Sequence, residues 1–187
     1  FNLFADQAQK EIFNQYFYDL NQFSRGNRSS GEFADMNYFL KEKIDVFKRK
    51  SSVTLNSVGS GSITSSSYQL GTIWNDRNKI VERVSRENLQ YILESKLLKP
   101  TVFNPIYIKR HQSIYVYPDV DYANQTLDYE YIKQPSKPNW TYVVVNQKAM
   151  YDGNNGDKVD FNLHFSEEDE LVYKILKYAG LSLKKQD

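Results

Sequence analysis

The sequence predicts an α+β fold, because helical patterns at both ends of the chain enclose a strand-rich middle. Apolar residues recur at three- and four-residue intervals over residues 3–23 and 33–50, which is helical spacing. Short extended segments bounded by prolines and polar turns follow over residues 101–165. We therefore expect a helical bundle of two N-terminal helices, a central helix and a C-terminal helix, with an antiparallel β-sheet and a projecting β-hairpin arm.

A chain of 187 residues fits a single structural domain with its own core. Within this domain we expect five segments. They are a helical hairpin at 1–50, a Ser-rich β-hairpin arm at 51–75, a strand and central helix at 76–100, a β-rich region at 101–165, and a C-terminal helix and tail at 166–187.

The first fifty residues predict two helices that form an antiparallel hairpin around an exposed loop at 24–31. The apolar positions are Phe4, Ala8, Ile12, Phe13, Tyr16, Phe17, Leu20 and Phe23 in the first helix, and Met36, Phe39, Leu40, Ile44 and Phe47 in the second. Lys48, Arg49 and Lys50 then fall at the end of the second helix. Cations interact favourably with the negative end of a helix, which explains them better than phosphate binding.

A Ser-rich segment follows and predicts the hairpin arm. Val53 and Leu55 alternate with polar residues, and an extended pattern resumes at 63–70. We expect so polar a hairpin to project and rest against another subunit. The intervening Gly59-Ser60-Gly61 predicts a turn, since it lacks the Lys and the spacing of a phosphate-binding loop.

The middle of the chain predicts several strands and one helix. Strands at 72–74 and 79–84 flank a polar turn at 75–78, and Ser85 precedes a helix at 86–97. Further extended segments lie at 106–108, 113–117, 126–133 and 142–145. Residues 152–157 resemble a calcium loop but lack ligands at its fifth and twelfth positions, so a turn is expected.

The final segment predicts a strand that leads into a helix. Alternation at 159–165 places Val159, Phe161, Leu163 and Phe165 on one face of a strand. Ser166 and Asp169 have the spacing of a capping pair. Leu171, Val172, Ile175, Leu176 and Ala179 repeat at helical spacing, and Gly180 is suited to a left-handed helix end.

Composition limits the possible functions. The chain has no Cys, which excludes disulfides and thiolate sites, and its net charge of +1 gives no overall attraction to nucleic acid. No apolar run is long enough to span a bilayer and no signal-peptide pattern opens the sequence, so we expect a soluble intracellular product. The 15 Tyr and 11 Phe serve either the core or contacts between subunits.

No motif indicates catalysis, so the sequence predicts a protein that is not an enzyme and has no catalytic, cofactor or metal site. His111 and His164 are the two histidines, and neither has metal-ligand spacing. A hydrolase remains an alternative that requires a pocket joining one of them to a nucleophile. Three other candidate clusters give weak signals. The first turn of a helix explains the acidic residues Glu167, Glu168, Asp169 and Glu170, and a solvated strand face explains Asp119, Asp121, Asp128 and Glu130. The basic and aromatic run at 107–111 is a weak nucleic-acid signal.

Several segments together resemble a known family. They are the helix at 85–98, Lys99-Pro100-Thr101, Asn104-Pro105-Ile106-Tyr107, Val116-Tyr117-Pro118, the strand at 129–135, Pro138-Asn139-Trp140, and the strand and helix at 159–180. Over roughly half of its length the chain is similar to head-to-tail connector or ring proteins of crAss-like tailed bacteriophages.

The resemblance implies a noncatalytic subunit of a ring of about twelve copies that joins the portal vertex to the tail. It implies that the partners are copies of the same chain, the portal protein and neighbouring ring or tail proteins. DNA would pass through the central channel without sequence-specific binding, and no membrane would be involved. The expected location is the head-tail junction of the virion, after synthesis in the host bacterial cytoplasm.

Two alternatives stay open beside the hydrolase. A tail-terminator or tail-hub subunit would share this composition. A carbohydrate-binding module would use Trp74, Trp140 and Tyr side chains as stacking platforms, and it predicts exposed, coplanar rings.

Overall fold

The computed structural model of the chain describes residues 1–25 and 31–180. Over these residues the α-helices are α1 (Asn2–Arg25), α2 (Gly31–Asp45), α3 (Arg86–Glu94), α4 (Asp119–Tyr122) and α5 (Glu168–Tyr178), and a 3-10 helix at Phe165–Glu167 precedes α5. The strands are β1 (Lys48–Thr54), β2 (Ser60–Ser62), β3 (Ser67–Trp74), β4 (Ile80–Arg83), β5 (Ile106–Arg110), β6 (Ser113–Tyr117), β7 (Thr126–Lys133), β8 (Tyr142–Val145) and β9 (Lys148–Tyr151). Residues 26–30 of the predicted loop, and the tail at 181–187, lie outside the described residues.

Tertiary contacts divide the chain into two compact units. The helical unit comprises Phe1–Phe47 and Pro135–Asp187, and the strand-rich unit comprises Lys48–Gln134. Among the described helices, none combines the length and the hydropathy needed to cross a membrane.

The strand-rich unit is a seven-stranded sheet that curls into a nearly closed barrel. Its strand order is β1-β7-β3-β4-β5-β6-β2, and all neighbours are antiparallel except β4 and β5. The two edge strands, β1 and β2, approach each other without forming a ladder. The buried side chains that fill the interior are Val53, Leu55, Ile63, Leu70, Ile73, Val81, Tyr107, Ile114, Val116, Tyr122, Leu127, Tyr129 and Tyr131.

A glycine permits this close approach of the edges. A Cβ at Gly61 would lie 2.5 Å from Cγ2 of Val53 and 3.0 Å from Cδ2 of Leu55. The missing side chain of Gly61 therefore lets β2 lie against the buried residues at the end of β1.

The helical unit is organised around α1, which packs against both α2 and α5. The buried face of α1 includes Ala8, Gln9, Ile12 and Phe13. The buried amide of Gln9 donates to the Ser136 carbonyl at 2.8 Å and accepts from the Asn162 amide at 2.8 Å. Gln9 thus fixes two irregular segments to the helix while its own polar groups are satisfied.

The prediction of a four-helix bundle beside a sheet is wrong, and the chain is a mixed α/β protein dominated by the barrel. The predicted central helix, α3, belongs to the strand-rich unit and has no buried residue. The barrel encloses its own core, so it does not need a layer of helices to cover it. In addition, α2 ends at Asp45, and Lys48–Lys50 therefore begin β1 and do not lie at a helix end.

The Ser-rich segment does not form the predicted projecting arm. β1 and β3 both pair with β7, and β2 pairs with β6, so residues 51–75 are part of the barrel wall. The prediction fails because five apolar residues of this segment, Val53, Leu55, Ile63, Leu70 and Ile73, are buried in the barrel, and the partner strands supply the remainder of the core.

The predicted strand at 159–165 is also wrong. Val159 forms an isolated bridge with Asn139, and no ladder continues from it. Phe165 is 77% exposed whereas His164 is 7% exposed, so the burial is opposite to the predicted alternation. The helix that follows ends as predicted, with Gly180 at a φ of 78°.

Candidate assembly surface

The most distinctive exposed feature is the hairpin of β8 and β9, which we call the hairpin arm (142–151). Tyr142 pairs with Tyr151, and Val143 pairs with Met150. The intervening Asn146 and Gln147 both have positive φ, 49° and 62°, as the tight turn of a two-residue hairpin requires. Among the described strands, β8 and β9 pair only with each other.

The hairpin arm exposes apolar side chains on both of its faces. Val143, Val145 and Met150 share one face and are 45%, 45% and 54% exposed, and Val144 on the opposite face is 66% exposed. An isolated two-stranded hairpin is at best marginally stable in water. A β-branched run exposed in this way is a candidate contact surface.

Aromatic rings support the base of the hairpin arm. The Trp140 indole lies 5.5 Å from the Tyr142 ring and 6.3 Å from the Tyr151 ring, with an interplanar angle of 19° in each pair. Phe1 meets the same indole edge-on at 5.8 Å. Such offset and edge contacts are favourable geometries for aromatic pairs, so the arm leaves the body of the helical unit from a packed base.

Hydrogen bonds hold this base to α1. The Asn2 side chain donates to the Asn139 side chain at 2.7 Å and accepts from the Trp140 amide at 3.0 Å. Two hydrogen bonds between Thr141 and Asp152 close the hairpin. The Thr141 hydroxyl donates to the Asp152 carbonyl at 2.6 Å, and the Asp152 amide donates to the Thr141 carbonyl. The start of α1 therefore fixes the direction in which the arm leaves.

A second apolar surface lies in the strand-rich unit, on and after α3. We call it the α3 ledge, and its exposed members are Tyr91, Leu97, Leu98 and Phe103. Leu97 is 91% exposed. The Ser95 hydroxyl oxygen accepts hydrogen bonds from the backbone amides of Leu97 and Leu98, so these exposed leucines lie on an ordered turn.

One of the two histidines, His164, contacts the Ser166 hydroxyl as part of a helix cap. Nδ1 of His164 lies 2.9 Å from Oγ of Ser166 and accepts a hydrogen bond from the Ser166 amide at 3.3 Å. The imidazole thereby caps the 3-10 helix. Its ring is buried against Phe39 and Phe165. Helix capping and ring packing therefore account for the contact between His164 and Ser166. His111 sits at the turn between β5 and β6 with a φ of 54°.

One residue of the predicted acidic cluster is buried and paired. Glu167 is almost completely buried and forms an ion pair with Lys43 of α2. Burial raises the pKa of the Tyr16 phenol above its ordinary value, and the Glu167 carboxylate raises it further. Glu168, Asp169 and Glu170 lie in the first turn of α5, as predicted.

The other acidic residues are distributed over two elements. Asp119 and Asp121 lie on α4 and not on a strand, whereas Asp128 and Glu130 lie on β7 as predicted. In the part of the chain that the structure describes, no three His, Cys, Asp or Glu side chains cluster as metal ligands would.

A cleft of about 470 Å³ on the strand-rich unit was not predicted as a site. We call it the Trp74 cleft, and it is lined by Lys50, Ser51, Ser52, Trp74, Asn78, Asp128 and Tyr129. Nζ of Lys50 lies 5.6 Å from the centroid of the Trp74 ring. These residues come from three strands and a turn that are far apart in sequence, so no local motif reveals the cleft.

The fold and these surfaces define a mixed α/β protein with a nearly closed barrel and an apolar hairpin that pairs with no other described strand. A comparison with known proteins finds no family model that matches the chain and no curated protein with significant similarity to it. The resemblance to phage connector proteins therefore rests on the sequence segments that carry it.

Proposed function

We propose that this protein is a noncatalytic structural subunit of a head-to-tail connector ring in a tailed bacteriophage. The hairpin arm is the observation that carries the proposal, because it is an ordered apolar structure that lacks a partner within the described chain. The resemblance of several sequence segments to connector proteins supports the same role.

The exposed area of the arm fits an assembly contact. About half of each of six large apolar side chains is exposed, on the order of 600 Å², which is at the upper end of the largest apolar patch on a typical monomer. One face of a specific protein interface buries about 800 Å². Because this area is divided between the two faces of the arm, a contact between subunits of this size covers both faces together with a polar rim.

A ring also requires a second, different patch on each subunit, because a head-to-tail contact joins two unlike surfaces. The α3 ledge is the apolar surface that meets this requirement. The arm of one copy would pack on the ledge of the next, and the pattern would repeat until the ring closes.

The charge of the chain agrees with a conduit for DNA. A net charge of +1 gives the chain no strong overall attraction to phosphate, and a strong attraction would retain DNA that has to pass. Portal protein on one side and a further ring or tail protein on the other are the proposed neighbours, and the proposed location is the head-tail junction.

The arm is tested with a triple variant, Val143→Thr, Val145→Thr and Met150→Gln, which keeps β-branched residues in the strand and removes apolar surface. The matched control carries Val58→Thr, Val120→Thr and Val172→Thr, at three exposed valines outside both surfaces. Native mass spectrometry and electron microscopy, with and without purified portal, measure assembly. We expect rings for the wild type and the control, and monomers for the arm variant.

A ledge variant, Leu97→Ser with Leu98→Ser, tests the second surface. This variant by itself is expected to remain monomeric. An equimolar mixture of the arm and ledge variants should form dimers and no rings, because each pair contributes one intact arm and one intact ledge. A wild-type protein that stays monomeric at on the order of 100 μM and does not bind portal would overturn the proposal.

A tail-terminator or tail-hub subunit would assemble through the same surfaces. Binding to purified portal, compared with binding to purified tail-tube protein, distinguishes these roles. We expect binding to portal.

A further inference from the structure

The Trp74 cleft has an ordered outer face built across three adjacent strands. In the sheet register, Ser52 of β1 lies opposite Asp128 of β7, and Asp128 lies opposite Trp74 of β3. Residues paired in this way project from the same face of a sheet. The row therefore presents a hydroxyl, a carboxylate and an indole side by side, and Asn78 lies in the turn after β3.

The polar groups of this row have unused hydrogen-bonding capacity. Among the described residues, the Asp128 carboxylate, the Ser52 hydroxyl and the Asn78 side-chain amide form no hydrogen bond or ion pair with other side chains or backbone. Trp74 is half-buried, so its ring is held by the sheet and partly open to the cleft. Polar groups with open hydrogen-bonding positions beside a partly exposed aromatic face are characteristic of a small-ligand site.

The charges of the cleft select against ions. Lys50 and Asp128 have opposite charges, so the cleft has no net charge to attract a strongly charged ligand. The Lys50 ammonium faces the indole and repels a second cation. The carboxylate of Asp128 repels an anion.

We propose that the Trp74 cleft binds a neutral oligosaccharide. The apolar C–H face of a sugar ring packs on the Trp74 indole, and its hydroxyls donate to Asp128 and exchange hydrogen bonds with Ser52 and Asn78. The volume of about 470 Å³ lies within the range of small-ligand sites and admits a short segment of the saccharide. Lys50 is exposed, so it can move away from the indole when the sugar arrives.

The binding site is independent of the assembly role, because none of its residues belongs to the hairpin arm or the α3 ledge. Its experiment uses a Trp140→Phe background, in which Trp74 is the remaining indole and reports the cleft by fluorescence. The probes are cellohexaose, maltohexaose and xylohexaose as neutral sugars, a heparin hexasaccharide as an anion, and tetramethylammonium as a cation.

We expect saturable quenching or a blue shift with at least one neutral hexasaccharide. Isothermal titration should show at least about tenfold weaker binding for Asp128→Ala, a change at an exposed side chain that the fold tolerates, and for Trp74→Ala. Tyr91→Ala, at an exposed ring outside the cleft, should bind as tightly as the parent. Two results would overturn the proposal. In the first, none of the neutral sugars saturates the fluorescence change up to about 10 mM, whether or not a charged probe binds. In the second, the Asp128→Ala variant binds the sugar with unchanged affinity.

Discussion

The Trp140 indole and the Tyr142 phenol ring lie nearly parallel, with an interplanar angle of 19° and centroids 5.5 Å apart. This contact joins the body of the helical unit to the first residue of the hairpin arm. The arm has few other internal supports, since the side chains of β8 and β9 are exposed.

Replacing Trp140 by Ala should therefore loosen the arm. We expect faster amide hydrogen exchange over residues 142–151 and easier proteolysis near Asn146, because the rings of Tyr142 and Tyr151 lose their common partner. The free energy of global unfolding should fall by about 2–4 kcal/mol. Tyr173→Ala, at an exposed ring of α5, is the matched control and should leave exchange in the arm unchanged.

Gly61→Ala tests how the barrel edges approach. The added methyl group would lie 2.5 Å from Cγ2 of Val53, so the Val53 side chain or one of the two strands has to shift. We expect a loss of about 1–3 kcal/mol in the free energy of unfolding, measured by urea denaturation. Gly156→Ala serves as the control because its Cβ meets nothing within 4 Å, and it should be neutral. Equal stability of the two variants would contradict the tight packing described here.

Glu167→Gln tests the buried ion pair with Lys43. The side chain of Lys43 is mostly buried, so removing its partner leaves a buried cation that keeps its contacts with the Tyr16 and Phe39 rings but has lost its carboxylate. We expect a destabilisation of about 3 kcal/mol by thermal and chemical denaturation. Glu168→Gln, at the neighbouring exposed carboxylate, should change stability by less than about 0.5 kcal/mol. In the double variant with Lys43→Met, much of the lost stability should be recovered. If the effects of the two single changes on stability simply add, the two residues are not a coupled pair.

Glu11 predicts a small pH dependence of stability. Hydrogen bonds from Lys174 and then Tyr178 lower the pKa of the Glu11 carboxyl below its ordinary value. A lowered pKa in the folded state stabilises the protein above the ordinary pKa, and this stabilisation is lost as the pH falls through the lowered value. Because Glu11 is exposed, solvent screening limits the effect to about 0.5 kcal/mol. Glu11→Gln should remove this contribution, so the difference in stability between wild type and variant should shrink between about pH 5 and pH 3.

Local sequence pattern accounts for much of the secondary structure. The strands β6, β7 and β8 have the predicted bounds, and α1 and α5 follow their apolar periodicity. The prediction of a projecting hairpin at residues 51–75 is wrong, and the hairpin at residues 142–151 is predicted only in its first strand. Both segments carry an alternating or β-branched pattern, and that pattern does not reveal which of them acquires neighbours in a sheet.

The candidate sites depend even more on distant contacts. The sequence indicates Trp74 as a stacking residue, but its neighbours Ser52 and Asp128 reach it through pairings on both sides of β7. The capping role of His164 depends on backbone that is irregular where alternation predicted a strand.

Most of the local elements follow from the amino-acid sequence, because turn residues, caps and hydrophobic period act over a few neighbouring positions. Tertiary contacts determine that the Ser-rich segment closes a barrel and that, among the described strands, the valine-rich hairpin pairs only with itself. That outcome depends on strand pairs far apart in the chain, such as Val53 with Leu127, whose energy comes from burial that no local pattern contains.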